Sequence, residues 1–295
     1  MTTGGDPTGP RWLSNVAPLV FLALWSGGYS VAKIGLEHGP PMSILALRYA
    51  LVVAIMAALF GVMRPPLPKR AADWGHLALV GLLIQTVYFG LTYLALEAGV
   101  TAGMTALLMS LQPILVALIA PRWSGESVGR RVWIGLILAL AGAVLVIVAR
   151  LEIGAPPVAG FALAVLGLAG ITAATLWEKR FGLSHHPVTA NLIGYGAGFI
   201  GILPFWLMQD AGPINWSWEF AAVMVYLVIG NSVIAVGLLL AMIRAGQVAR
   251  VSALMFLVPP LAGLIAWTLL GESMPALAWA GLALAGGGVW LVTRP

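Results

Sequence analysis

Apolar runs of membrane-spanning length follow one another along this chain, separated only by short polar breaks. A helix that crosses a bilayer core needs about 20 mostly apolar residues. Such runs fall at Val16–Gly35, Ile44–Met63, Leu77–Leu96, Gly103–Ile119 and Val132–Val148. A second set falls at Val158–Trp177, Ala190–Met208, Phe220–Leu240, Val251–Leu270 and Ala276–Val292. The pattern predicts ten helical spans joined by short connections, with no room for a sizeable soluble domain. The first run lacks a small-residue cleavage site and reads as a retained span rather than a signal peptide.

Composition supports lipid as the solvent. Hydrophobic residues make up 61% of the chain and charged residues only 8%, too few to cover a water-soluble surface of this length. There is no cysteine, which excludes disulfides and thiolate-bound metals. The net charge is +5 and most basic residues sit in short connections, so it reads as topology and not as a nucleic-acid surface.

The basic residues also predict sidedness. With the N-terminus in the cytoplasm, Arg11, Arg64, Lys69, Arg70, Arg122, Arg130, Arg131, Lys179, Arg180, Arg244, Arg250 and Arg294 all lie inside. Arg150 alone falls in an outer loop, while Lys33 and Arg48 lie within or near the outer ends of spans 1 and 2. Cytoplasmic loops carry the excess of Lys and Arg in membrane proteins, so both termini are expected inside. An even number of spans satisfies that.

The chain repeats itself. Ala98-Gly99 aligns with Ala245-Gly246 and Pro113 with Pro260, at an offset of 147 residues. After a one-residue slip, Gly125-Glu126 aligns with Gly271-Glu272, Trp133 with Trp279, Gly135 with Gly281 and Gly142 with Gly288. Weaker matches pair Ser26 with Thr172, Lys33 with Lys179 and Pro41 with Pro187. The expected units are a first five-helix repeat over 1–149 and a second over 150–295. An odd number of spans per unit inverts the second relative to the first. Inverted repeats are a transporter architecture whose site lies near the membrane midplane, between the halves.

These residues resemble a family. LWSGGYSVAK from Leu24 to Lys33, then Pro40-Pro41 and Arg48, precede the two matching blocks of Pro, Gly-Glu, Trp and Gly just quoted. The chain resembles the EamA-type branch of the drug/metabolite transporter superfamily over essentially its whole length, and within it the bacterial aromatic amino-acid exporters. The resemblance implies an all-α protein of ten helices around a central cavity, with spans 5 and 10 peripheral. It also implies export of small metabolites across the bacterial inner membrane.

Polar residues inside spans are the candidate site, because such groups face a cavity or a partner. Gln85, Tyr88 and Thr92 share one helical face of span 3. They either line a cavity able to bind the polar groups of an amino acid or join helices by hydrogen bonds. The repeat carries Gln85 onto Ser232, beside Asn231. Ser26 and Tyr29 share a face of span 1, and their counterparts in span 6 are Thr172 and Thr175; each either lines the cavity or bonds its own helix. Trp25 and Trp177 are stacking walls or interface residues, Trp177 the latter. Thr105, Ser252 and Met255 enter as candidates because spans 4 and 9 line the cavity in the family. Pro113 and Pro260 are expected to kink spans 4 and 9, as hinges or as static bends.

Some chemistry is expected to be absent. The ten carboxylates, Asp6, Glu37, Asp73, Glu97, Glu126, Glu152, Glu178, Asp210, Glu219 and Glu272, all sit at span ends or in loops. A mid-membrane carboxylate is a common proton relay. Its absence predicts gradient-driven export without one. Lys33, Arg48 and Glu97 either form an outer salt-bridge gate or snorkel to the interface. His185-His186 lacks a supporting ligand set, so no metal is expected. No phosphate-binding loop of Walker type occurs, so nucleotide is not expected either. The expected partners are a small-molecule substrate and the lipid bilayer, without cofactor or nucleic acid. The alternatives are an exporter of drugs or lipophilic cations, a membrane enzyme and a channel. An enzyme is expected to need a clustered acid-base set, and a channel rings of charge or carbonyls.

Overall fold

The structure is a computed structural model and describes residues 16–124, 129–151, 157–181, 185–209, 212–244 and 257–293. These residues form ten helical spans and no strand. In chain order they are α1 (Ala17–Leu36), α2 (Pro41–Met63), α3 (Ala71–Glu97), α4 (Ala102–Met109 and Gln112–Ser124) and α5 (Arg130–Leu151). The second five are α6 (Val158–Phe181), α7 (Pro187–Met208), α8 (the continuous run of Trp218–Val225, Tyr226–Ala235 and Val236–Arg244), α9 (Val258–Leu270) and α10 (Ala276–Thr293). Seven spans are long and apolar enough to cross a bilayer, and α5, α9 and α10 contain shorter apolar stretches.

Local sequence sets the helix ends. Pro41 and Pro187 begin α2 and α7, where a missing N–H costs nothing. The Thr101 hydroxyl caps α4 by accepting from Met104 N at 3.2 Å, and Ser217 caps α8 by accepting from Phe220 N at 3.0 Å. Gly99, with φ +98°, and Gly271, with φ +63°, end α3 and α9 in the left-handed region that only glycine enters without strain.

The two halves interpenetrate. The closest helix pairs are α5 with α10, α2 with α7, α3 with α6 and with α7, and α1 with α8 and with α9. All of them join one half to the other, and they come in matched sets. α3–α6 mirrors α8–α1, and α4–α6 mirrors α9–α1. Pairs α2–α7, α4–α9 and α5–α10 each join a helix to its own counterpart. The repeat is therefore three-dimensional, and the core lies along the seam between the halves. Arg48, Tyr49, Tyr93, Phe21, Phe220 and Ile202 are among its fully buried side chains.

Glycines make the α5–α10 crossing possible. Gly142 packs against the backbone of Gly281 and Ala285, and Gly288 against that of Gly135 and Ala139. A methyl group on Gly281 falls 2.7 Å from Gly142 O. Small residues of α5 and α10 therefore meet each other across the repeat axis. The outward faces of this pair, including Trp133, Ile137, Leu140 and Trp290, are exposed and suited to lipid.

Two departures from regular α geometry shape the interior. Leu82–Phe89 in α3 and Tyr226–Ala235 in α8 are π-helical. The repeat register that carries Gln85 onto Ser232 places one of these residues in each segment. π turns are rare and cluster at functional sites. Separately, α4 breaks at Ser110 and Leu111, where the Ser110 hydroxyl donates to Leu107 O at 2.6 Å. Pro113 lies in the first turn of the following segment, and Pro259 and Pro260 in the first turn of α9. Pro113 thus sits just after an interruption of span 4 rather than within an unbroken kinked helix.

Candidate functional site

Arg48 is the centre of the buried polar region. It lies two turns into α2 and is 1% exposed, so it neither snorkels nor joins a gate. Its Nε donates to Ser232 Oγ at 3.1 Å, and Nη2 donates to Ser232 Oγ at 2.9 Å and to Asn231 Oδ1 at 3.1 Å. Nη1 donates to the Tyr93 hydroxyl at 3.4 Å, and the guanidinium lies 4.8 Å from the centre of the Phe89 ring. The acceptors are themselves held. The Ser232 hydroxyl donates to Leu227 O at 2.9 Å and Asn231 Nδ2 to Leu24 O at 3.2 Å. Their protons are thus committed elsewhere, leaving oxygens for the guanidinium. The bond from Ser232 to Leu227 spans five residues, matching the π turn beneath it.

Two cavities flank this cluster. The smaller, of about 30 Å³, is bounded by Arg48, Thr92, Tyr93, Asn231, Phe89 and Trp25 among others. The larger, of about 120 Å³, is lined by Met109, Ile171, Val258, Pro259 and Leu282, with Ser110 and Gln112 as its polar residues. Trp25, Tyr29 and Tyr88 line both. The hydroxyls of Tyr29 and Tyr88 lie 3.0 Å apart in a hydrogen bond, so this pair is the partition between the two spaces.

The sequence candidates divide around this frame. Tyr29, Tyr88, Thr92 and Asn231 line the smaller cavity, and Ser232 supports it through Arg48. Gln85 does not line either cavity. The wider π turn rotates it off the face of Tyr88, and its side chain fills the space beside Gly198 of α7, with Oε1 unpartnered among the described residues. Its carbonyl accepts from the Tyr49 hydroxyl at 2.7 Å. Thr175 accepts from Gln112 Nε2 at 2.7 Å, which brings it to the edge of the larger cavity. Thr105 and Thr172 are buried and donate to Thr101 O and Leu168 O of their own helices. Ser26 is buried and has no hydrogen-bond partner among the described residues. Pro113 and Pro260 both line the larger cavity. Ser252 and Met255 lie outside the described residues. Sequence reasoning passed over Arg48, Tyr93 and Phe89 as site residues, although a charge four residues inside the predicted apolar span was the available signal.

Networks tie the helix ends together. At the end opposite the basic connections, Glu272 accepts from Ala102 N at 2.7 Å and Gly103 N at 3.1 Å, and lies 3.6 Å from Lys33 Nζ. Gly271 supplies the turn that aims this carboxylate at the N-terminus of α4. Lys33 pairs with Glu272 and not with Glu97. Asn215 N also donates to His38 O at 2.7 Å. At the basic end, Trp177 Nε1 donates to His76 Nδ1 at 3.2 Å, Thr189 to Pro66 O at 3.2 Å, and Arg180 to Trp123 O at 3.1 Å. His186 accepts from Val188 N at 3.3 Å and caps α7, while His185 lies 4.0 Å from Asp73. Among the described residues no group of three or more His, Asp or Glu is placed to hold a metal.

A profile of the EamA-like transporter family matches residues 14–148 and again residues 158–294. The chain belongs to the EamA-like transporter family. The double match is the duplication seen in the helix packing. The chain is 27% identical over 284 residues to a protein of Salmonella typhimurium named "Probable amino-acid metabolite efflux pump", covering 92% of each. It is 24% identical over 287 residues to an Escherichia coli protein of the same name, covering 94% of this chain and 93% of the other. A solved structure superposes with a TM-score of 0.65 over 95% of this chain and 96% of that one, at 18% identity, which speaks for the fold alone. This EamA-like chain is thus a multi-pass membrane transporter with a duplicated ten-helix fold.

Proposed function

We propose that this protein is a secondary carrier that exports amino acids, aromatic and other neutral ones, or related small metabolites, by alternating access. The observation that carries the reading is the pair of cavities on the seam between the repeats, bounded by polar groups on helices of both halves. Relatives named as amino-acid metabolite efflux pumps support the substrate class. The distribution of Lys and Arg supports an inner-membrane setting with both termini in the cytoplasm. It makes the Lys33–Glu272 network outer.

The packing bears on how the carrier moves. Among the described residues, the helices of 1–149 touch those of 150–295 far more than either set touches itself. The moving bodies are therefore sets of helices drawn from both halves, such as α1 with α8 and α9 against α6 with α3 and α4. Pro113 and Pro260, bordering the larger cavity, are the hinge candidates. The described carboxylates lie at helix ends, which supports export without a carboxylate relay.

An exporter of lipophilic cations is the second reading, and the guanidinium on the cavity wall opposes it by repulsion. Proteoliposomes loaded with single unlabelled amino acids, and in parallel with lipophilic cations, test the proposal. Saturable counterflow of labelled amino acid is the expected result. Counterflow of cations alone overturns the substrate class, and unsaturable flux overturns the carrier. Uphill accumulation driven by an imposed pH gradient overturns the relay-free reading.

A further inference from the structure

We infer that Arg48 is the receptor for the carboxylate of the substrate, which enters the small cavity while the apolar body of the molecule occupies the larger one across the Tyr29–Tyr88 pair. This deepens the carrier reading and rests on it.

The charge is the first reason. A guanidinium stays protonated in any protein environment. Arg48 is held by Ser232, Asn231 and Tyr93, all neutral, and no ion pair to it occurs among the described residues. Hydroxyls and an amide orient a buried cation without neutralising it. A buried charge lacking a countercharge is costly, and inside a membrane bundle it marks a functional group. A monoanionic ligand group supplies the missing charge.

Geometry is the second reason. Four hydrogen bonds use Nε, both N–H groups of Nη2 and one of Nη1, leaving the second Nη1 hydrogen without a partner among the described residues. Phe89 covers a face of the guanidinium, so an anion comes in along the edge. Thr92 is 2% exposed and borders the same cavity, but its hydroxyl oxygen lies on the side of Gly167 of α6 and has no partner among the described residues. The unused cationic N–H on this small space is a donor for one acceptor group. The volume of about 30 Å³ holds about two water-sized groups, the size of two carboxylate oxygens and too small for an aromatic ring.

The larger cavity completes the pattern. Met109, Ile171, Val258 and Leu282 make it apolar, and it shares the walls Trp25, Tyr29 and Tyr88 with the small one, so a molecule that reaches both spaces parts the Tyr29–Tyr88 bond. An elongated molecule with a carboxylate at one end and an apolar body at the other matches the two spaces.

Calorimetric titration of the full chain in lipid nanodiscs tests this with matched sets: phenylalanine and leucine, their methyl esters and amides, and the corresponding acids lacking the amino group. The acids, with or without the amino group, are expected to bind about 100-fold more tightly than the esters and amides. Arg48→Lys keeps the charge but loses the planar fork, and Arg48→Gln loses both. The preference for acid over ester is expected to fall below about 10-fold in each variant. Where Arg48→Gln fails to fold, the wild-type sets and Arg48→Lys decide. Esters binding as tightly as acids, no acid binding at all, or an unchanged preference in Arg48→Lys overturns the assignment. Counterflow by the same ligands in liposomes reads the carrier separately. Flux without a preference for acids removes the receptor and keeps the carrier; binding of acids without flux removes the carrier and keeps the receptor.

Discussion

Replacing Glu272 with Gln loosens one end of the molecule by an amount the structure allows to be worked out. The carboxylate accepts from two consecutive backbone amides of α4, at 2.7 and 3.1 Å, and its side chain is only 8% exposed. Gln presents one acceptor and one N–H donor in the same shape. It keeps a neutral bond to one amide and turns a donor toward the other. Losing one charge-assisted bond costs about 1.5–3 kcal/mol, and removing the anion from the first turn of a helix costs about 0.3–1 kcal/mol more. Lys33 is more exposed, so its pairing adds little. A total near 3 kcal/mol corresponds to about a 100-fold shift toward the state in which this end is open. The chain has no cysteine, so a single Leu96→Cys on the wall of the small cavity reports access without background. Labelling by a membrane-impermeant maleimide, added from the side bearing Lys33 and Glu272, is expected to speed up many-fold in Glu272→Gln. An unchanged labelling rate refutes the idea that this network holds the end shut.

Three further outcomes follow from particular contacts. Gly281→Leu forces a side chain into the backbone of α5, where a methyl already falls 2.7 Å from Gly142 O; overpacking of this kind costs at least about 1–3 kcal/mol, and a melt in detergent should show a clear drop in Tm. Tyr88→Phe removes the 3.0 Å hydroxyl bond to Tyr29 at a cost of about 1 kcal/mol; liposome counterflow should show a KM raised severalfold while Tm stays near wild type, and an unchanged KM counts against the partition. Pro113→Ala restores a backbone N–H beside the break at Ser110 and Leu111 and favours a continuous helix; turnover should fall more than affinity in the same assay, and an unchanged turnover argues against a hinge.

Much of the scaffold was legible because membrane sequence obeys few and strong rules. Apolar runs long enough to cross a bilayer, separated by polar breaks, have no other solution than helices. The duplication was readable from Pro113 with Pro260 and from the Gly-Glu pairs. The glycines Gly135, Gly142, Gly281 and Gly288 stood out in the sequence as repeat matches, and the structure shows that they let two backbones meet. Asn231 and Ser232 were picked out as polar groups at matching depth.

The site itself needed the tertiary structure. Sequence spacing put Gln85 on the face of Tyr88, but the π segment Leu82–Phe89 changes the angle per residue and turns Gln85 toward Gly198. No local pattern announced that π turn. Arg48 read as an outer-end charge because distance along a helix says nothing of what lies beside it. Only the docking of α8 against α2, residues 183 and 184 positions apart in sequence, supplies the oxygens that let a guanidinium stay buried. Lys33 likewise found Glu272, far along the chain, and not its neighbour Glu97. The sequence by itself determined helices, their number and their repetition, because those follow from hydrophobicity along one dimension. The tertiary structure decided which charges are buried and which residues share a cavity, because those depend on contacts between segments that only the folded chain brings together.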